Sequence, residues 1–154
     1  MRIIVFSDSH GDTYRMIKTV EMHPEAKQII FLGDGEYDIG QIEAYFKDRS
    51  FIKVKGNCDF ASSLPAYEIR MVNGKKIYIT HGYAEGVKYS LDNLIYRALE
   101  MKADIVLYGH THCAESFYED GMHIMNPGSI RDGYYGIIDI TPDGIMINCT
   151  RVMD

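Results

Sequence analysis

A chain of 154 residues with 46% hydrophobic content is long enough for one domain with a substantial core, and no apolar run reaches the roughly 20 residues that a membrane helix needs. Its formal charge of −6 argues against tight binding to a nucleic-acid backbone, though not against a small phosphorylated substrate. Cys58, Cys113 and Cys149 are odd in number and scattered, which suits reduced thiols, and Met1 leads straight into a strand-like run without a signal-peptide pattern, so a cytoplasmic protein is expected.

Taken in chain order, "RIIVFSD" (2–8), "KQIIFLGD" (27–34) and "FIKVKGN" (51–57) are apolar strands that close in Gly, Asp or Asn. Between them, Met16, Ile17 and Val20 mark a helix near 13–22, and Ile39, Ile42 and Phe46 mark another near 38–47. The opening is therefore βαβαβ. In "YEIRMVNGKKIYIT" (67–80) the pair Asn73-Gly74 is a hairpin turn between two strands. Leu91, Leu94, Ile95, Ala98 and Leu99 keep the i, i+3, i+4, i+7, i+8 spacing and predict a helix over 88–102, followed by the strand "DIVLYG" at 104–109. Asp120-Gly121 and Asp143-Gly144 signal two more hairpins, so the C-terminal third is expected to be mostly antiparallel. The expectation is one mixed α/β domain over 1–154, with two sheets and helices outside them.

The strand ends carry the chemistry. Asp8 and His10 follow the first strand, Asp34 the second, Asn57 the third, His81 the strand "KIYIT", and His110 with His112 the strand "DIVLY". In "GHTH" the two imidazoles are i and i+2, which an extended chain sends to one side roughly 6 to 7 Å apart. Taken singly, each residue has a plain structural use: Asp8 or Asp34 as a helix cap, Asn57 as a turn residue, His81 as a solvated strand end. Taken together, five successive strands end in oxygen or nitrogen donors, and in open α/β sheets such ends converge on one crevice. Carboxylate, amide and imidazole suit first-row divalent ions, and seven side chains are too many for one ion. His23 and His123 have no such company and are expected at the surface.

"DSH" (8–10), "GD" (33–34), "GNCD" (56–59), "HG" (81–82) and "GHTH" (109–112) resemble the signature of the calcineurin-like metallophosphoesterases, and "NPGS" (126–129) extends the likeness to their small bacterial and archaeal phosphodiesterase branch. The resemblance implies a four-layer αββα sandwich whose two mixed sheets are flanked by helices. It also implies a dinuclear metal centre in which one ion takes Asp8, His10 and His112, the other takes Asn57, His81 and His110, and Asp34 bridges them. Mn²⁺ leads the candidates, with Fe²⁺, Zn²⁺, Ni²⁺ or Co²⁺ as alternatives. The implied reaction is hydrolysis of a small phosphodiester by a hydroxide held between the ions, with Asn57, Cys58 and His81 as the catalytic positions. Two divalent ions against the two carboxylates would leave a site suited to an anionic ester.

Departures from the wider superfamily narrow this reading. The common "GNH" is "GNC" here, so Cys58 occupies the position of a histidine that assists the leaving group, and "GDGEYDIG" (33–40) lacks the arginine of the "GDxxDRG" branches. Asp12, Lys55, Asp59 and Arg131 are candidate substrate contacts with solvated-surface roles equally open, and Cys113 is expected to pack. The expected partner is a small phosphoester, with no membrane and no nucleic-acid polymer; assembly as a homodimer or homotetramer stays open. Phosphomonoesterase or nuclease action on the same centre are the alternatives, the latter without the basic groove it needs. A further alternative is a protein-binding scaffold like a retromer subunit of the same branch, which departs from the ligand set that this chain retains.

Overall fold

A computed structural model describes residues 1–153. The order is β1 (Arg2–Phe6), α1 (Thr13–Met22), β2 (Gln28–Phe31), α2 (Glu36–Tyr45), β3 (Ser50–Lys53), β4 (Tyr67–Val72), β5 (Lys75–Thr80), α3 (Asp92–Glu100), β6 (Ile105–Leu107), β7 (Glu115–Glu119), β8 (Met122–Asn126), a 3₁₀ turn (Ile130–Asp132), β9 (Tyr134–Thr141) and β10 (Gly144–Arg151). One sheet runs β10-β9-β1-β2-β3 and the other β4-β5-β6-β8-β7. In the first, β1, β2 and β3 are parallel, as a βαβαβ opening requires; in the second, β5, β6 and β8 are parallel.

Both faces of the central strands are covered, which is why their sequences read as unbroken apolar runs rather than alternating ones. Ile3 and Val5 point between the sheets with Ile30, Leu32, Ile77, Ile79, Ile105 and Leu107. Ile4 and Phe6 point outward against Met16 and Val20 of α1 and Ile39 and Ile42 of α2. On the far side, Tyr78, Val106 and Ile124 pack under Leu94 and Ala98 of α3. Three apolar layers separated by two sheets make the expected αββα sandwich.

The differences from expectation have local causes. The helix expected over 88–102 covers only 92–100, because residues 83–91 wind into successive turns about Gly86: Tyr89 and Ser90 N–H both donate to the Gly86 carbonyl, and Ser90 Oγ accepts from Asp92 N–H just ahead of the helix. Leu91 still packs, from the cap position. At the other end Lys102 at φ 56 stops it. The C-terminal third does contain both expected hairpins, β7-β8 and β9-β10, but they join different sheets and β8 lies parallel to β6, so it is less purely antiparallel than its turn signals imply.

Candidate metal centre

The parallel strands β1, β2 and β3 of one sheet and β5 and β6 of the other all end at the same edge of the sandwich. The residues that follow them leave the strand conformation at once. Asp8, His10, Asp34, His110 and His112 have φ between 41° and 72°, five of the nine non-glycine residues with positive φ among those described. Asn73 and Asp120 are accounted for by their hairpin turns. Backbone of this kind costs about 1–3 kcal/mol per residue and persists where the surroundings over-determine it. Here it concentrates at predicted ligands.

The side chains assemble into two trios. Asp8, His10 and His112 each offer an atom within 4.8 Å of the others, and so do Asp34, His81 and His110; each trio could hold an ion. Asn57 joins the second through Oδ1, 3.0 Å from His81 Nε2. All seven residues singled out in the sequence therefore converge on one place.

Each carboxylate has one oxygen held by the protein and one aimed at imidazoles. Asp8 Oδ2 accepts from Ser7 Oγ at 2.5 Å and from His110 N–H at 3.1 Å. Its Oδ1 is buried with no hydrogen-bond partner, while Nε2 of His112, His10 and His81 lie 3.2, 3.8 and 3.9 Å away. Asp34 Oδ1 accepts from Cys58 N–H at 2.7 Å, and its Oδ2 is 3.3 Å from His81 Nε2. An orphaned carboxylate oxygen facing three imidazoles is costly unless a cation joins them. Nδ1 of His81 donates to the Leu32 carbonyl at 2.8 Å, which fixes the tautomer and leaves Nε2 as the free ligand atom. The donor set and its orphan both fit a pair of metal ions.

Electrostatics agree. Burial disfavours charge on Asp34, but the hydrogen bond and charge of His81 outweigh it and hold the carboxyl well below the usual range. Burial also acts against charge on His81, yet the Asp34 bond and the Asp8 and Asp34 charges win and raise its basicity. His110 goes the other way, lowered by burial and then by His81 and Lys88. Burial and then Asp34 push the Cys58 thiol up, so it stays neutral near pH 7.

Supporting residues escaped the sequence reading. Asp59 was a candidate substrate contact; instead its two oxygens accept four backbone N–H groups, of Gly35 and Glu36 (2.9 and 3.0 Å) and of Asp34 and Gly56 (2.8 Å each), clamping the β2 and β3 ends together. Asp38 takes Ser9 Oγ and Gly11 N–H, both at 2.7 Å, and so shapes the turn that carries His10. Asn126 donates to Gly109 O and Thr111 Oγ1 beneath "GHTH", and Ser129 Oγ donates to Asp8 O. Only "NPGS" hinted at this pair. A Cβ at Gly56 would lie 2.1 Å from Asp34 Oδ1, and one at Gly109 would lie 2.1 Å from Ser7 Oγ, which explains the glycine in "GN" and "GH". Asp12 caps α1 and pairs with Arg15, beside His10. His23 is half-buried against the Tyr135 hydroxyl, and Cys113 is exposed rather than packed.

Comparison with known proteins decides the family. The model of the calcineurin-like phosphoesterase superfamily domain matches residues 1–141. The chain belongs to this superfamily. Within it, the chain is 37% identical over 134 residues to a probable metallophosphoesterase, YsnB, of Bacillus subtilis, covering 85% of this chain and 76% of that one. It is 25% identical to the phosphodiesterase YfcE of Escherichia coli K12, covering 90% and 88%. The structure superposes on Vps29 of Entamoeba histolytica complexed with zinc, with a TM-score of 0.78, 20% identity and coverage of 99% and 98%, a likeness of fold. Metal-dependent phosphoesterases of this superfamily accordingly give the frame for the two trios.

Proposed function

We propose that the protein is a metal-dependent phosphodiesterase acting on a small phosphodiester through a dinuclear centre. Asp8, His10 and His112 hold one ion, Asn57, His81 and His110 the other, and Asp34 bridges; Mn²⁺ is the expected metal. The observation that carries the reading is the orphaned Asp8 Oδ1 facing three imidazole nitrogens. Two such ions, when bound, supply an activated water and neutralise charge in an in-line displacement. The chain's own work is positioning: Asp59 and Asp38 fix the loops, Leu32 O fixes the His81 tautomer, and Asn57 adds a ligand without adding negative charge. No side-chain nucleophile is needed, and Cys58, neutral and beside Asn57 Nδ2 at 3.7 Å, is a weak proton donor to the leaving group.

A role as a protein-binding scaffold is favoured by the likeness to Vps29, in fold and over part of the sequence. It gives no reason for seven convergent donors, five of them on strained backbone. The test compares bis(p-nitrophenyl) phosphate with p-nitrophenyl phosphate after Mn²⁺ loading, with Asp34→Asn as control. Preferential, chelator-sensitive turnover of the diester supports the proposal; turnover of neither ester, or equal turnover by Asp34→Asn, contradicts it.

A further inference from the structure

Beside the second trio lies a cavity of about 570 Å³ lined by Asn57, Tyr83, Lys88, Tyr89 and His110. Its outer wall is the 83–90 loop, which the metal centre itself does not use. The loop is anchored from within: Val87 is buried in the α3 layer, and the buried Glu85 accepts the Tyr78 hydroxyl at 2.5 Å. Gly86 N–H donates to Tyr83 O and Val87 N–H to Gly82 O, so the turns are closed. What the loop presents outward is two aromatic rings, Tyr83 at 63% and Tyr89 at 95% exposure, with an ammonium between them in sequence. Tyr83 stands edge-on to His110, ring centres 5.5 Å apart at 87°, which ties that ring to the candidate ligand beside it. Rings so exposed contribute nothing to the core, and a rigid loop that displays them next to a reactive centre has the form of a recognition surface.

We infer that this cavity seats the nucleobase of a nucleoside-bearing small phosphodiester, with Tyr83 and Tyr89 as stacking surfaces and Lys88 meeting a phosphate oxygen. The inference rests on the phosphodiesterase reading above and adds the class of its substrate. Stacking on aromatic side chains suits every base, because each has a flat π face, whereas an aliphatic alcohol such as glycerol has no face to offer. The volume lies in the usual range for small-molecule sites, and a net charge of −6 does not suit tracking a polymer backbone.

The decisive experiment is equilibrium binding to the Mn²⁺-loaded protein of adenosine 5′-monophosphate against ribose 5-phosphate, which differ only in the base. Stacking predicts tighter binding of the nucleotide by roughly fivefold to a hundredfold per engaged ring. The ratio should collapse towards one in Tyr83→Leu/Tyr89→Leu and survive in Tyr83→Phe/Tyr89→Phe, which keeps both rings. Equal binding of the two ligands by the unmodified protein, or an undiminished ratio in the leucine variant, overturns the base seat. In parallel, thymidine 5′-(4-nitrophenyl phosphate) should exceed methyl 4-nitrophenyl phosphate in kcat/KM, although the leaving group is the same. If neither ester turns over while the nucleotide ratio holds, the diesterase reading fails and the seat stands; if both turn over equally and the binding ratio is one, the reverse is true.

Discussion

The two trios of the centre are chemically alike and physically unlike. His81 and Asp34 have side chains only 3% and 4% exposed, and His81 is locked by Leu32 O; His112 is 42% exposed and His10 26%. A buried, oriented set loses little order on binding an ion and works in a lower effective dielectric. An open set must be ordered and competes with water. The difference predicts a tighter ion among Asp34, Asn57, His81 and His110 and a weaker one among Asp8, His10 and His112, where two imidazoles stand open to solvent.

The largest effect that sharpens this comparison comes from Asp34, the proposed bridge. Asp34→Asn should lower diester turnover by more than about 100-fold, beyond the 10- to 100-fold that follows loss of an outer partner, and should leave fewer than two ions per chain by elemental analysis. Two ions per chain in that variant would remove Asp34 from the bridge. Next, His81→Ala should abolish the tighter binding phase in a calorimetric Mn²⁺ titration, whereas His112→Ala should spare it and erase the weaker one. The opposite pattern would reverse the assignment.

Asp59→Ala touches neither ion, yet strips four N–H groups of their acceptor. It should lower turnover about 10- to 100-fold and destabilise the protein by about 1–3 kcal/mol in denaturant titration. A variant of unchanged stability and activity would show that the clamp is redundant. Acidification gives a further contrast. Because the basicity of His81 is raised in the metal-free centre, protons compete for its Nε2 from above the ordinary imidazole range near 6.5 downward, so metal affinity should fall as pH drops through neutrality. Affinity that stays flat between pH 8 and pH 5.5 would argue against His81 as a ligand. The last effect, confined to the dependence on the leaving group, is expected at Cys58. With the thiol held neutral, rate should depend steeply on leaving-group pKa, and Cys58→His should flatten that slope, helping alkyl esters by some part of the 10²- to 10⁴-fold that general acids supply and aryl esters less. Equal slopes in both proteins would place the proton donor elsewhere.

How much of this was legible in the sequence depends on what each residue does. Strand ends could be read because both faces of β1 and β2 are buried, so the apolar run simply stops where the polar donor begins. The seven donors could be read because their chemistry is unusual at such ends. The partition into two sheets was not readable from the turns: Asp120-Gly121 and Asp143-Gly144 give hairpins, but nothing local says that β8 pairs with β6 while β9 pairs with β1. The first turns of the expected third helix failed because an apolar spacing through Leu91 is compatible with a turn-rich loop whose geometry Gly86 and Ser90 set. Asp59, Asp38 and Asn126 were invisible as positioning residues, since an acceptor for backbone N–H groups looks the same in sequence as a surface carboxylate or amide.

The central claim is that two ions, held unequally, are both required for chemistry. Mn²⁺ titrated into metal-free protein, with bound metal and bis(p-nitrophenyl) phosphate hydrolysis followed on the same samples, tests it directly. The account predicts that the first equivalent binds tightly and leaves the protein nearly inactive, and that turnover rises with the second, weaker one. Full activity at one ion per chain, or in protein shown to be free of metal, would contradict it.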